Sequence, residues 1–135
     1  MPGWGTGSFE NEDAQGFLGR LNSCGVDDLR QILARAGDQV YPAAAESGIV
    51  VAAAEVVAAL VAAAKGETAS SAMPRPMIDW IRKSKAGAPP DLVDLARQAV
   101  ERVRTGSELK DLWLEAEGLN EWSKALRDLE TRLGA

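Results

Sequence analysis

The sequence contains no histidine and a single cysteine, and both scarcities exclude common kinds of protein chemistry. Histidine is the usual general acid or base near neutral pH, so acid–base chemistry would fall to carboxylates. Zinc sites of the His or Cys type are excluded as well, and a metal would have to be a hard cation bound by carboxylates. Cys24 cannot form an internal disulfide, which favours a reducing compartment. We therefore expect a cytoplasmic protein with no catalytic residue, no metal and no cofactor.

Basic residues are scarce in the first half of the chain. Residues 1–70 contain 4 Lys/Arg and 9 Asp/Glu, whereas residues 71–135 contain 11 of each. Binding to a phosphate backbone requires clustered Lys and Arg, so a nucleic-acid partner is not expected. A partner attracted by charge would instead be a protein with a basic surface. The sequence does not indicate an oligomeric state.

Long hydrophobic runs are limited to one, GIVVAAAEVVAALVAAA at residues 48–64, which is 17 residues long and has Glu55 at its centre. A carboxylate in the middle of a membrane span costs about 2.5 to 3.5 kcal/mol, and alanine promotes insertion weakly. Residues 1–20 lack the basic and apolar regions of a signal peptide. We expect a central helix of a bundle and no association with a membrane.

Strand-like alternation is almost absent, and apolar residues recur at helical spacing. The sequence predicts an all-α fold, with six to seven helices around a long central Ala/Val-rich helix in one domain over residues 1–135. Residues 1–10 are predicted to form an anchoring loop and residues 66–75 a polar loop. The first helix is predicted to begin at Asn11 or Glu12, and Pro42 is predicted to lie in the first turn of the third helix. Four later helices are predicted to have N-cap residues at Asp27, Asp91, Ser107 and Asn120.

The opening stretch, GWGTGSFENED at residues 3–13, has three glycines at alternate positions and two aromatic residues. In the structural interpretation, Trp4 and Phe9 anchor the chain end in the core, and Asn11 to Asp13 complete the first helical turn. A second interpretation is a nest of backbone N–H groups that binds an anion, or a loop in which Trp4 forms the wall of a pocket. A third is a hard-cation site on Glu10, Glu12 and Asp13.

Within residues 48–64, Glu55 is the one charged residue, and all the others are apolar or glycine. A buried carboxylate must be paired or hydrogen-bonded, or else become neutral. Our hypothesis is that Glu55 accepts hydrogen bonds from the backbone of residues 4–8 or from the Trp4 indole. The alternatives are a partly exposed position at a helix edge and a functional carboxylate beside Trp4. The candidate binding residues are therefore Trp4, Phe9, Asp13 and Glu55.

The opening motif GWGxGxFxNxDAxxF resembles the start of a family of small bacterial proteins, the domain of unknown function 4259. It is present as Gly3, Trp4, Gly5, Gly7, Phe9, Asn11, Asp13, Ala14 and Phe17. Residues 52–60 and 107–133, which include Trp113 and Trp122, are similar to the later parts of that pattern. The resemblance implies a compact bacterial domain and assigns no catalytic residue.

Three functions compete at this stage. The first is a non-catalytic protein-interaction or inhibitory module of the immunity or antitoxin type. The second is a small-ligand-binding domain or carboxylate-based enzyme with a pocket near Trp4 and Glu55. The third, DNA binding through a helix-turn-helix, is disfavoured because acidic residues accompany the arginines of the helix that follows Pro90. A closed contact between the opening loop and the third helix favours the first function, and an open cleft there favours the second.

Overall fold

A computed structural model describes residues 5–67, 73–84 and 87–134 of the protein. Within those ranges the chain forms seven α-helices, one single-turn 3-10 helix and no strand, which confirms the all-α prediction. The α-helices are α1 (Glu12–Arg20), α2 (Val26–Gly37), α3 (Ala44–Ala64), α4 (Arg75–Lys83), α5 (Pro90–Thr105), α6 (Glu108–Glu115) and α7 (Leu119–Arg132). The 3-10 helix, Leu21–Ser23, follows α1 directly.

Helix α3 is the centre of the fold, as the sequence predicts. It packs against each of the other six α-helices, and twelve of its 21 residues are buried. Most of those twelve are alanine, valine or glycine, and such small side chains let neighbouring helices approach closely. By length and composition α3 could also cross a membrane, but 67% of its most apolar window is buried inside the bundle.

The surrounding helices bury the apolar faces that their sequence spacing predicts. Trp80, Trp113 and Trp122 are all buried in the core. The Trp80 indole N–H also donates a hydrogen bond of 2.9 Å to the Cys24 carbonyl at the end of the 3-10 helix. Large aromatic side chains contribute much of the burial in a domain this size, and a buried indole N–H requires an acceptor of this kind.

Two predicted helix caps are confirmed and three are wrong. Asn11 accepts from the Ala14 N–H at 2.8 Å, and Ser107 accepts from the Lys110 N–H at 3.1 Å. The prediction for Asp27, Asp91 and Asn120 is wrong, because the N-cap residues of α2, α5 and α7 are Gly25, Pro89 and Gly118, each two residues earlier. Proline opens α5, where its missing N–H costs nothing. The two aspartates lie in first turns and bind the Arg30 guanidinium instead.

The start of α3 is capped by another helix. The prediction for Pro42 is wrong, because it precedes Ala43, the N-cap residue, and the helix begins at Ala44. The Pro42 carbonyl accepts from the Glu108 N–H at 3.0 Å, and the Glu108 carboxylate accepts from the Ala44 N–H at 2.8 Å. This reciprocal pair joins the starts of α3 and α6, and a carboxylate there also complements the dipole of α3.

Candidate functional site

A groove runs over α3 between α4 and α7. Both helices pack on α3 but, within the described ranges, they do not contact each other. The groove has a volume of about 630 Å³. Its floor consists of Ala58, Ala59 and Ala62, and its apolar walls include Phe9, Met73 and Met77.

The floor of the groove is a single stripe along one helix. Glu55, Ala58, Ala59, Ala62 and Lys65 all line it, and they follow one another at intervals of three, one, three and three residues. That spacing places them on one face of α3 over about 15 Å, since each residue adds about 1.5 Å. The middle of the stripe is alanine, so the floor is deep and apolar, and charged groups lie only at its two ends.

At one end of the groove, the Glu55 carboxylate is bound from two directions. Its Oε2 accepts from the Ser8 hydroxyl at 2.7 Å. The Arg132 guanidinium donates to Oε1 at 2.5 Å and to Oε2 at 3.1 Å. Only 12% of the Glu55 side chain is exposed, whereas 52% of the Arg132 side chain is exposed. Hydrogen bonding to Glu55 raises the pKa of Arg132 above its ordinary value.

The sequence hypothesis for Glu55 places its donors in the opening loop, on the backbone of residues 4–8 or on the Trp4 indole. The opening loop does supply a hydrogen bond, but it comes from the Ser8 side chain. Trp4, the other proposed donor, lies outside the described residues. Arg132 was missed because it is 77 positions away in the chain, and no local pattern links it to Glu55. Glu55 is paired and its side chain is 12% exposed, which lies between the fully buried position and the partly exposed helix edge that the sequence left open.

Residues 5–8 form a closed contact with the bundle on one side, whereas Ser8 also lines the open groove beside Glu55. Beside Gly48, Trp113 and Trp122 they leave a gap of only about 10 Å³. The Gly7 N–H donates to the Glu10 carboxylate at 3.0 Å. A Cβ added at Gly7 would lie 2.4 Å from that carboxylate, so glycine lets Glu10 fold back over the loop. The loop's own carboxylate therefore takes the Gly7 N–H that the anion-nest interpretation would need.

The structure brings together two of the four sequence-predicted site residues. Phe9 and Glu55 both line the groove, and Phe9 is partly buried against the core. Asp13 lies exposed on the first turn of α1 and does not line the groove. Trp4 lies outside the described residues. Among the residues that the structure describes, no group of three acidic or cysteine side chains is arranged to hold a metal ion.

Two methionines and an arginine complete the site and were missed from the sequence. Met73 lies just before α4 and Met77 in its first turns, and both line the wall opposite α7. The only sequence signal for the two methionines was that they are apolar residues at or just after the predicted polar loop, residues 66–75. Methionine is flexible and polarizable, and it commonly lines surfaces that adapt to a bound group.

The arrangement suits binding better than acid–base chemistry. Both oxygens of Glu55 are already engaged, and the bidentate arginine holds the carboxylate in place. The other ionisable groups in the lining, Lys65 and Glu67, lie at the opposite end and are exposed. Among the described residues that line the groove, the cations Lys65 and Arg132 balance the anions Glu55 and Glu67, so the lining is electrically neutral.

The comparisons with known proteins identify a family but no activity. No curated protein and no solved structure matches the chain. The family model described as Domain of unknown function (DUF4259) matches residues 3–125, which is most of the sequence. That match agrees with the resemblance carried by the opening motif. The chain therefore belongs to the DUF4259 family.

Proposed function

We propose that the protein is a non-catalytic interaction module whose groove receives an apolar helical segment of a partner protein. The observation that carries this proposal is the alanine floor, which the described residues leave open between α4 and α7 beside Phe9, Met73 and Met77. An amphipathic helix placed in an apolar groove is a common mode of protein recognition.

The dimensions of the groove support a helical occupant. A stripe of about 15 Å equals about ten residues of helix, or nearly three turns. Alanines in the floor allow the backbone of the incoming helix to approach closely, as they do for the helices already packed on α3. Methionine side chains can adjust to its apolar residues. A groove open along its length also suits a protein surface, which remains partly in solvent.

The state of Glu55 supports a non-catalytic role. A carboxylate acting as a general base needs a free oxygen within reach of the proton that it removes. Ser8 and Arg132 occupy both oxygens of Glu55, and they connect the opening loop and α7 to α3. Glu55 therefore shapes and closes one end of the groove.

Inhibition of the immunity or antitoxin type is a narrower form of this function, in which the captured segment belongs to an enzyme or toxin in the cytoplasm. The neutral groove would contribute little charge attraction. Selection of a partner with a basic surface would depend on the acidic first half of the chain.

The test uses two Ala→Phe variants on the same helix. Ala62→Phe fills the groove, whereas Ala45→Phe adds the same side chain at an exposed site outside it. Both variants are first shown to be folded by circular dichroism. Affinity capture from native lysate then identifies proteins that the wild type and Ala45→Phe retain and Ala62→Phe loses.

Synthetic helical peptides taken from the sequence of the captured protein are then tested for binding. An apolar peptide that binds the wild type and loses about tenfold or more in affinity with Ala62→Phe would support the proposal, since tenfold corresponds to about 1.4 kcal/mol. If Ala62→Phe captures and binds the same proteins as the wild type, the groove is not the recognition site.

A small, uncharged apolar molecule is a second candidate occupant. The groove volume of about 630 Å³ favours it, because ligand pockets typically measure about 300 to 1,000 Å³. The probe is N-phenyl-1-naphthylamine, whose fluorescence rises in apolar sites. Saturable binding to the wild type and Ala45→Phe, but not to Ala62→Phe, would favour this candidate. Fluorescence that does not saturate, or equal fluorescence with all three proteins, would exclude it.

A further inference from the structure

A second cleft lies on a different part of the protein, where the end of α5, the first residues of α6 and the start of α7 meet. Its volume is about 750 Å³. Among the residues that the structure describes, its lining includes no carboxylate and four cationic side chains, Arg104, Lys110, Lys124 and Arg127. This is unexpected in a chain with 20 acidic and 15 basic residues.

Three of the four cations are not neutralised by ion pairs. Arg104 is paired with Glu130 through hydrogen bonds of 2.7 and 3.3 Å, and both side chains are largely buried. Lys110, Lys124 and Arg127 form no ion pair of 4.0 Å or shorter with any carboxylate in the described ranges. The Lys110 ammonium instead donates to the Thr105 carbonyl at 3.2 Å, which holds it at the cleft.

The nearest carboxylates along α7 do not line the cleft. Glu121 and Asp128 lie three residues before and four residues after Lys124, and both are exposed to solvent. In water such neighbours attract a lysine only weakly. The cleft therefore keeps a local excess of positive charge. Like charges held together repel, so this arrangement offers no stability that would explain it.

Neutral hydrogen-bonding groups surround the cations. The Asn120 amide and the Ser123 hydroxyl line the cleft, and neither forms a side-chain hydrogen bond with the described residues. Leu119 and Asn120 are the first two residues of α7, a helix of 14 residues. The unpaired N–H groups of a first turn and the positive end of the helix dipole add to the attraction for an anion.

We propose that this cleft binds a small anion that carries phosphoryl groups. Three cations and several neutral donors match the many oxygens and multiple negative charges of a diphosphate better than those of a single carboxylate. The four cations lie in one cleft of a protein that is acidic overall, whereas a nucleic-acid strand would need a longer basic surface. This site is separate from the groove over α3, so either proposal can fail alone.

The test is titration of the protein with inorganic pyrophosphate. Binding is measured by isothermal titration calorimetry and by the change in the melting temperature of the protein. Potassium chloride at equal ionic strength controls for screening, and orthophosphate tests whether one phosphoryl group is enough. The variant is Lys124→Gln/Arg127→Gln. The matched control is Arg102→Gln, an exposed cation of α5 that does not line the cleft.

We expect saturable pyrophosphate binding that raises the melting temperature, with orthophosphate binding more weakly. The double variant should weaken binding by about tenfold or more, because two cations that would donate charge-assisted hydrogen bonds to the anion are lost. Its stability without ligand should be equal or higher, because the repulsion is relieved. NMR shifts on binding should be concentrated at Thr105, Asn120 and Ser123.

Two kinds of result would overturn the proposal. An equal effect of potassium chloride, or unchanged pyrophosphate binding by the double variant, would show that the cleft does not hold the anion. The other result is binding of a DNA strand of about 12 nucleotides, which spans about one helical turn, without binding of pyrophosphate. It would assign the basic surface to nucleic acid and contradict a small-anion site.

Discussion

Glu55 on α3 and Arg132, the last residue of α7, are joined by two hydrogen bonds of 2.5 and 3.1 Å across 77 positions of the chain. The same carboxylate accepts a third hydrogen bond from Ser8 in the opening loop. One side chain thus connects three segments that are distant in sequence. Without Glu55, the opening loop and α7 would each lose a specific contact with the central helix.

The Glu55–Arg132 pair should contribute measurably to stability. We expect Glu55→Gln to lower the free energy of unfolding by about 1 to 2 kcal/mol, because charge-assisted hydrogen bonds are lost in a largely buried place. Arg132 is half exposed, which limits the loss. Urea denaturation of Glu55→Gln, Arg132→Gln and the double variant should show a coupling energy of about 1 kcal/mol. Strictly additive effects would mean that the pair does not interact in solution.

Tyr41 should ionise at unusually high pH. Its hydroxyl donates to the Asp111 carboxylate at 2.5 Å, and this contact raises the pKa of Tyr41 to about 12. The stabilisation is therefore fully present below the ordinary pKa of about 10 and is lost as the pH rises toward 12. Tyr41 is the only tyrosine, so phenolate absorbance reports it alone.

The variant for this contact is Asp111→Asn, which removes the negative charge and should move the pKa of Tyr41 back toward its ordinary value. Asp128→Asn is the matched control, because Asp128 is exposed on α7 and has no contact with Tyr41. An identical titration curve for the wild type and Asp111→Asn would contradict the hydrogen bond.

The end of α6 should be stabilised by a glycine at position 117. Glu117 has a φ of 62°, the left-handed region that favours glycine, and the next N–H, that of Gly118, donates to the Trp113 carbonyl at 2.9 Å. We expect Glu117→Gly to raise the free energy of unfolding by about 0.5 to 1 kcal/mol, as strain in that region is removed. Thermal denaturation gives the measurement.

The neighbouring position should respond in the opposite direction. A Cβ added at Gly118 would lie 2.7 Å from the Trp113 ring, which is buried in the core. Gly118→Ala should therefore destabilise the protein by about 1 to 3 kcal/mol. Stabilisation by Gly118→Ala, or destabilisation by Glu117→Gly, would mean that the turn has a different conformation.

Ser107 should contribute to the stability of the protein as the N-cap of α6. It is fully buried, accepts from the Lys110 N–H at 3.1 Å and donates to the Val103 carbonyl at 2.7 Å. Ser107→Ala should cost about 1 to 2 kcal/mol, since one buried donor and one acceptor lose their partner. Ser123→Ala, at a partly exposed site, should cost less than about 0.5 kcal/mol. Equal costs for the two variants would argue against the cap.

Part of the candidate site could be predicted from the sequence. Glu55 stands out in an apolar helix, and Phe9 in a glycine-rich opening, because both break a local pattern. Asp13 belongs to the same motif but serves the first turn of α1, away from the groove. Arg132 and the methionines have no local signal, because their positions depend on how α4 and α7 pack on α3.

The sequence by itself determined the helices, the central position of α3 and the caps at Asn11 and Ser107, and it ruled out histidine chemistry. The helices and caps depend on contacts within about four residues, and the central position of α3 follows from a composition that is apolar nearly all round the helix, so spacing and composition record these features directly. Only the tertiary structure decided which groups bind Glu55, which helix caps Ala44, and that residues 104–127 gather cations around one cleft. These contacts join segments far apart in the chain, and their geometry arises only when the helices pack together.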